Sequence, residues 1–267
     1  MRVVLASKSP ARLKTLQSAG IHPIVMVSHT DESAVLAALP GGRFGQGGST
    51  TPADEVSALA SAKCRAVCES LMTAPIREAA CHRTISHDGE TPLNSSPAIS
   101  PQRTGQTENP HNNSALVTNE TQLVVIGCDS MLEINGRMAG KPHTPEVARQ
   151  RIQEMRNSEA TLWTGHAVAL LERSDVTHHW SLVKQIERSA HTLVRFGNIC
   201  DAEIEAYIAT GEPLEVAGSF TVDALGGPFV SSIEGDFHSV VGLSLPLMRD
   251  MIIELGIFWP DLWTPLS

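Results

Sequence analysis

The sequence predicts an α/β protein with a mixed, twisted sheet flanked by helices, and three observations carry that expectation. Short apolar runs such as 3–5 and 123–126 alternate with capped, helix-like stretches, as strands buried between helices do. An Asn135-Gly136 pair between two apolar arms marks a type I′ hairpin, so at least one strand pair is antiparallel. The composition is 42% hydrophobic and only 4% aromatic, which makes the core aliphatic.

Val3-Val4-Leu5 reads as a short buried strand. Ser9 caps the helix that follows, with Pro10 at its first position, Leu13 and Leu16 on one face, and Gly20 as its stop. A second strand is expected from Ile24 to Val27, leading to Asp31-Glu32, and then a glycine-rich loop over 40–49. A helix should start at Thr51-Pro52 and run towards Leu71 on the apolar positions Val56, Leu59, Ala60, Val67 and Leu71. Lys63 falls on that same stripe, where a lysine either snorkels to solvent or points into a cleft. Residues 77–120 are rich in Ser, Thr, Asn, Pro and His and contain no Phe, Tyr or Trp. Such a stretch buries too little apolar surface to offset its ordering entropy, so it reads as a flexible segment.

The strand Gln122–Gly127 follows, with Asp129 just past its end, then the Asn135-Gly136 hairpin and Gly140-Lys141-Pro142. Thr144-Pro145 starts a helix carrying Ala148, Ile152 and Met155. Strands are expected near 162–171 and 192–196, and a helix capped by Asp201 runs through Tyr207. A strand over 228–233 and a helix from Pro246 to Leu255 complete the pattern.

The 267 residues hold no apolar run near twenty residues and no secretory leader, so no membrane span and a cytoplasmic location are expected. Five cysteines without framework spacing read as reduced thiols. The sequons at Asn94, Asn112 and Asn119 therefore carry little weight. A net charge of −9 argues against non-specific nucleic-acid binding, and no nucleic-acid partner is expected, but it leaves room for a small phosphorylated ligand. Cys64, Cys68, Cys81 and His82 lack the paired spacing of a zinc site.

The strand-to-helix corner Ser7-Lys8-Ser9-Pro10, with Arg12 one turn inside, is either an anion site or a plain cap. Glu32 and Asp129, at the ends of two strands, would meet at one sheet edge if those strands are parallel neighbours. Two carboxylates there could hold a hard divalent cation, and one could activate water. The alternative is a pair of solvated loop acids. Lys141, fixed between Gly140 and Pro142, is either an aimed cation or a surface lysine.

Taken in order, these pieces resemble the Maf family of nucleoside triphosphate pyrophosphatases, historically linked with septum formation. The resemblance rests on residues 5–12, Asp31-Glu32, Ala62-Lys63, residues 127–130 and 140–142, and Thr164-Gly165. It continues through residues 194–196, Tyr207, residues 211–213 and 217–220, 233–236 and 240–243. It implies an elongated two-lobed α/β fold of the Maf/inosine-triphosphatase type with a central cleft, often homodimeric. It also makes 77–120 an insertion within one domain spanning 1–267, because in the family the lysine-bearing helix is followed quickly by the strand leading to the aspartate. The implied reaction is hydrolysis of a nucleoside triphosphate to the monophosphate and pyrophosphate with Mg²⁺ or Mn²⁺. A nucleotide-binding regulator of septum formation without turnover is the alternative. Carried over, Ser7, Ser9 and Arg12 would grip phosphate, and Glu32 and Asp129 would hold the metal. Asp129 would activate the water, and Lys63 and Lys141 would neutralise the triphosphate. Asp223 stands near the expected base pocket where many relatives carry glutamine. Ala11 and Val216 replace a common arginine and lysine.

Overall fold

A computed structural model describes residues 1–74 and 120–264. The insertion expected over 77–120 lies outside the described residues except for Glu120, as do Cys81, His82 and the three sequons. The described chain forms one seven-stranded sheet. Its strands are β1 (Arg2–Leu5), β2 (Ile24–Val25), β3 (Gln122–Ile134), β4 (Arg137–Ala139), β5 (Glu159–Arg173), β6 (Trp180–Phe196) and β7 (Val230–Glu234). They lie in the order β2-β1-β3-β5-β6-β7, with β4 paired to β3. Only β1 is parallel to its neighbours, β2 and β3; every other pairing is antiparallel. The mixed sheet is therefore as expected.

The strand β3 is the spine of the molecule. One edge pairs with β5 from Gln122 to Glu133. The other pairs with β1 over Leu123–Ile126 and with β4 over Leu132–Ile134. Between them, residues 127–131 have no strand alongside, and the edge is notched. Asp129 was expected past the end of its strand; it lies instead in the middle of thirteen paired residues, facing that notch.

The helices are α1 (Pro10–Ser18), α2 (Glu32–Ala37), α3 (Pro52–Thr73), α4 (Pro145–Met155), α5 (Asp201–Ala209), α6 (Phe237–Val241) and α7 (Leu245–Glu254). Ser9 caps α1, its side chain accepting from the Arg12 N–H, and Pro10 is first in the helix. Thr51 and Asp54 form a reciprocal capping box on α3. At α5 the cap position is Cys200, not Asp201, which is the first helical residue. Both hairpin residues, Asn135 and Gly136, have the positive φ that a type I′ turn demands (50° and 72°).

Two glycines explain how closely α3 lies on the sheet. A Cβ on Gly127 would fall well inside 3.0 Å of the Ala60 carbonyl and the Cys64 backbone; one on Gly165 would do the same to Val56 and Ser57. Helix backbone thus sits where side chains would otherwise stand.

Apolar clusters cover both faces and both ends. Leu5, Leu16, Ile126, Val168, Met248 and Ile252 fill one face under α1 and α7. Val4, Ala60, Cys64, Val125 and Ala167 fill the other under α3. A third cluster, with Leu132, Ile152, Phe196 and Tyr207, packs α4 and α5 at the far end of β3. The notch falls between these ends. Leu36, Val56, Leu59 and Met131 seat the short α2 on α3. The buried Glu55 pins the glycine-rich loop, accepting from the Arg43 guanidinium and from Phe44 N–H. In the C-terminal tail, Leu262 is buried and the Trp263 indole lies against Gly20.

Candidate active site

Strand alternation sends consecutive residues of β3 to opposite faces, and around the notch both are polar. Asp129 points towards α3 and Ser130 towards α1 and α6, so groups from both faces converge at one open edge.

On the α3 side, Lys63 Nζ donates to Glu32 Oε1 at 2.7 Å and to Asp129 Oδ1. Lys63 has not snorkelled: its side chain is 12% exposed, against 10% for Asp129 and 55% for Glu32. Glu32 was expected at the end of the second strand; it is the first residue of α2, whose cap is Asp31. Nor are the two strands neighbours, because β1 lies between β2 and β3. The carboxylates meet because α2 carries Glu32 back over the sheet edge to the α3 lysine.

The two carboxyls are shifted in opposite directions. Burial pushes the Asp129 carboxyl above its ordinary value, and the opposing pull of Lys63 and Arg12 does not cancel that. Burial also raises Glu32, but the Lys63 hydrogen bond and charge, with Lys141 and Arg12 adding, bring it to a net lowering.

On the other face, Arg12 is held at three points. Its Nε donates to the Gly242 carbonyl at 2.8 Å, NH1 to Ser7 Oγ at 3.1 Å and NH2 to Ser130 Oγ at 3.1 Å. Two of the five guanidinium N–H donors remain for an anion. Ser7 Oγ also accepts from Ser9 N–H. At the capped N-terminal end of α1, this corner presents hydroxyl and guanidinium donors and positive charge towards the notch.

The remaining expected residues stand further off. Lys141 pairs with Glu215 at 3.7 Å, and its charge reaches Glu32 without contact. Asp223 is exposed on the loop after Phe220 and joins none of these clusters. That loop is organised by Glu212, whose carboxylate accepts from Tyr207 OH, Thr221 OH and the N–H groups of Leu225 and Gly226. Glu212 and Thr164 stand in the matched motifs, but the residue string alone assigned them no task.

Among the described residues no three His, Cys, Asp or Glu side chains gather as a metal cluster. Two carboxylate oxygens nevertheless converge on one cation position, now filled by the Lys63 ammonium. Such a set suits a hard divalent ion that takes its other ligands from water and phosphate. No helix among the described residues is long and apolar enough to cross a membrane.

Behind the Arg12 corner, His166 is fully buried and its Nε2 accepts from Ser244 N–H at 2.9 Å. Burial, helped by the Arg12 charge, lowers its pKa to about 4. In the unfolded chain it protonates near its usual value of about 6.5. Between these values only the unfolded state binds the proton, so stability present above about pH 6.5 is lost as pH falls towards 4. The loss should be about 3 kcal/mol. Urea titrations across this range should show the drop in the wild type and a flatter profile in His166→Gln.

A family model described as "Maf-like protein" matches residues 2–255. Relatives named nucleoside triphosphate pyrophosphatase are similar along nearly the whole chain. That of Mycobacterium sp. (strain JLS) is 40% identical over 264 residues, covering 98% of each chain. That of Mycobacterium marinum is 40% identical over 262 residues, covering 98% of this chain and 96% of its own. A third, from Rhodococcus jostii, is 40% identical over 260 residues, covering 97% and 95%. A match of this extent, over a mixed sheet that brings residues from several of its motifs to one notch, makes this chain a member of the Maf-like protein family.

Proposed function

We propose that this chain is a nucleoside triphosphate pyrophosphatase, cleaving the α–β phosphoanhydride to release the nucleoside monophosphate and pyrophosphate. The observation that carries the reading is the Glu32–Lys63–Asp129 cluster at the β3 notch, set beside the Arg12 corner. A polyanion that leaves as pyrophosphate calls for fixed cations and a base, not for a covalent nucleophile.

Ser7, Ser9 and Arg12 bind phosphate oxygens with hydroxyl and guanidinium donors. Asp129 takes a proton from the attacking water as the new P–O bond forms and the bridging P–O bond breaks. Asp129, buried at the notch, is the carboxyl placed to take that proton, whereas the lowered Glu32 stays ionised as a ligand. Lys63 moves its charge from the carboxylates to the phosphates, and Lys141 closes on the outer phosphates from the hairpin side. Glu32 and Asp129 would hold Mg²⁺ or Mn²⁺, which supplies charge neutralisation on the phosphates when bound. Asp223, on the loop strapped by Glu212, faces the base. The same reading places the protein in the cytoplasm, where its substrates are, as a homodimer without nucleic-acid or membrane partners.

The test is pyrophosphate release by the purified full chain from a panel of standard and modified nucleoside triphosphates with Mg²⁺ or Mn²⁺. Monophosphate and pyrophosphate should appear in equal amounts. Release of inorganic phosphate and the nucleoside diphosphate would overturn the reaction, and tight binding without turnover would favour the regulator of septum formation.

A further inference from the structure

The hydroxyl groups behind Arg12 have only one consistent arrangement of protons. The Ser239 carbonyl can only accept, so the single Thr164 proton goes to it, at 2.9 Å. Thr164 Oγ1 lies 3.0 Å from Ser130 Oγ, and having spent its proton it must accept there. Ser130 therefore donates to Thr164 and offers a lone pair to Arg12 NH2, which can only donate. The chain runs one way, from Arg12 through Ser130 and Thr164 to the Ser239 carbonyl.

The contrast with Ser7 is informative. Its oxygen accepts from Ser9 N–H and from Arg12 NH1, and its own proton has no acceptor among the described residues. Ser7 is thus free to donate to a bound anion, whereas the Ser130 proton is already committed to the protein interior.

The acceptor end of the chain is itself anchored. Thr164 and His166, two residues apart on one face of β5 and both fully buried, hold the segment from α6 to α7 at two points. Thr164 binds Ser239 O, and His166 binds Ser244 N–H. Between these points lies Gly242, whose carbonyl receives Arg12 Nε and whose φ of 122° suits glycine alone. A Cβ there would press on Arg12 Nε at 3.2 Å.

We propose that Thr164 is a positioning residue for Arg12: through Ser130 and the α6–α7 turn it fixes the guanidinium plane so that its two unused N–H donors face the phosphate. The proposal deepens the pyrophosphatase reading, on which only its kinetic arm rests.

The test uses Thr164→Val, Thr164→Ser, Ser130→Ala and the Ser130→Ala/Thr164→Val double variant of the full chain. Valine keeps the shape and removes the hydroxyl. Thr164→Val and Ser130→Ala should each raise KM for the nucleotide and the inhibition constant of inorganic pyrophosphate about tenfold, with kcat within about threefold of wild type. Thr164→Ser should restore both constants to within about twofold. The double variant should be no worse than the poorer single one, because either change breaks the same chain. Wild-type KM and pyrophosphate inhibition in Thr164→Val, with only a lower melting temperature, would overturn the proposal. So would penalties that multiply in the double variant. If Thr164→Val does not fold, Ser130→Ala carries the same expectation, and wild-type constants there would overturn it.

A second readout needs no substrate. In the nucleotide-free protein the Arg12 Nε–H should exchange slowly with solvent by NMR, and faster in Thr164→Val and Ser130→Ala. Unchanged exchange would overturn the chain, whereas changed exchange in a protein that hydrolyses nothing would leave the chain standing and remove the pyrophosphatase reading.

Discussion

Asp129→Asn should fold, bind nucleotide and lose turnover by about 10²–10⁴-fold, the range that a positioned general base supplies. Asparagine matches the shape of aspartate but cannot take up the water's proton. Stability should not suffer. Burial holds the Asp129 carboxyl above its ordinary value, so the ionised carboxylate costs the folded state free energy at neutral pH that a neutral amide does not. Thermal unfolding and steady-state kinetics on one preparation check both halves. Near wild-type turnover would remove Asp129 from the chemistry, and a large drop in melting temperature would mean that Lys63 depends on Asp129 for its place.

Gly165→Ala should be damaging although the glycine has no side chain to offer a substrate. The added methyl would meet the Val56 carbonyl and Ser57 nitrogen inside contact distance, and backbone cannot swing aside as a flexible side chain can. The helix α3 must lift, at a cost of about 1–3 kcal/mol, and Lys63 lifts with it away from Glu32 and Asp129. A displacement near 1 Å is enough to reduce turnover about a hundredfold. Gly197→Ala is the control. Its Cβ would meet only the Phe229 carbonyl, at an ordinary 3.7 Å, and its melting temperature should stay close to wild type. If Gly165→Ala matches Gly197→Ala in both stability and turnover, the close seating of α3 is not what aims Lys63.

How much of this was legible in the sequence depended on whether the physics was local. Ser9 and Thr51 were readable as caps because a cap is decided within four residues. Lys63 stood out because helical phase alone placed it among Val56, Ala60 and Val67. Asp129 was misplaced because Gly127-Cys128-Asp129 interrupts an apolar run; the strand continues since a polar residue facing an open notch needs no apolar partner. The first half of β6 went unread for a related reason. Lys184, Gln185, Glu187 and Arg188 put polar groups on both faces of that strand, so no alternation marks it. The short α6 was missed because five residues carry no period. Thr164 and Ser130 were visible as motif letters, but their relation exists only in the β3–β5 register, which pairs them directly.

The place of β1, between β2 and β3, bears on how the protein is made. Arg2 pairs with Leu123 and Leu5 with Ile126, so the first strand leaves the ribosome well before its central neighbour has been synthesised. Until then α3 has no sheet on which to bury Val56, Ala60 and Cys64, and β1 has only the two-residue β2 beside it. Until β3 is made, the apolar faces of the N-terminal quarter of the chain have no sheet to pack against, the kind of surface that chaperones cover. The Arg12 corner cannot be completed before residue 242 has been made, since the Gly242 carbonyl that fixes its guanidinium lies 230 residues further on.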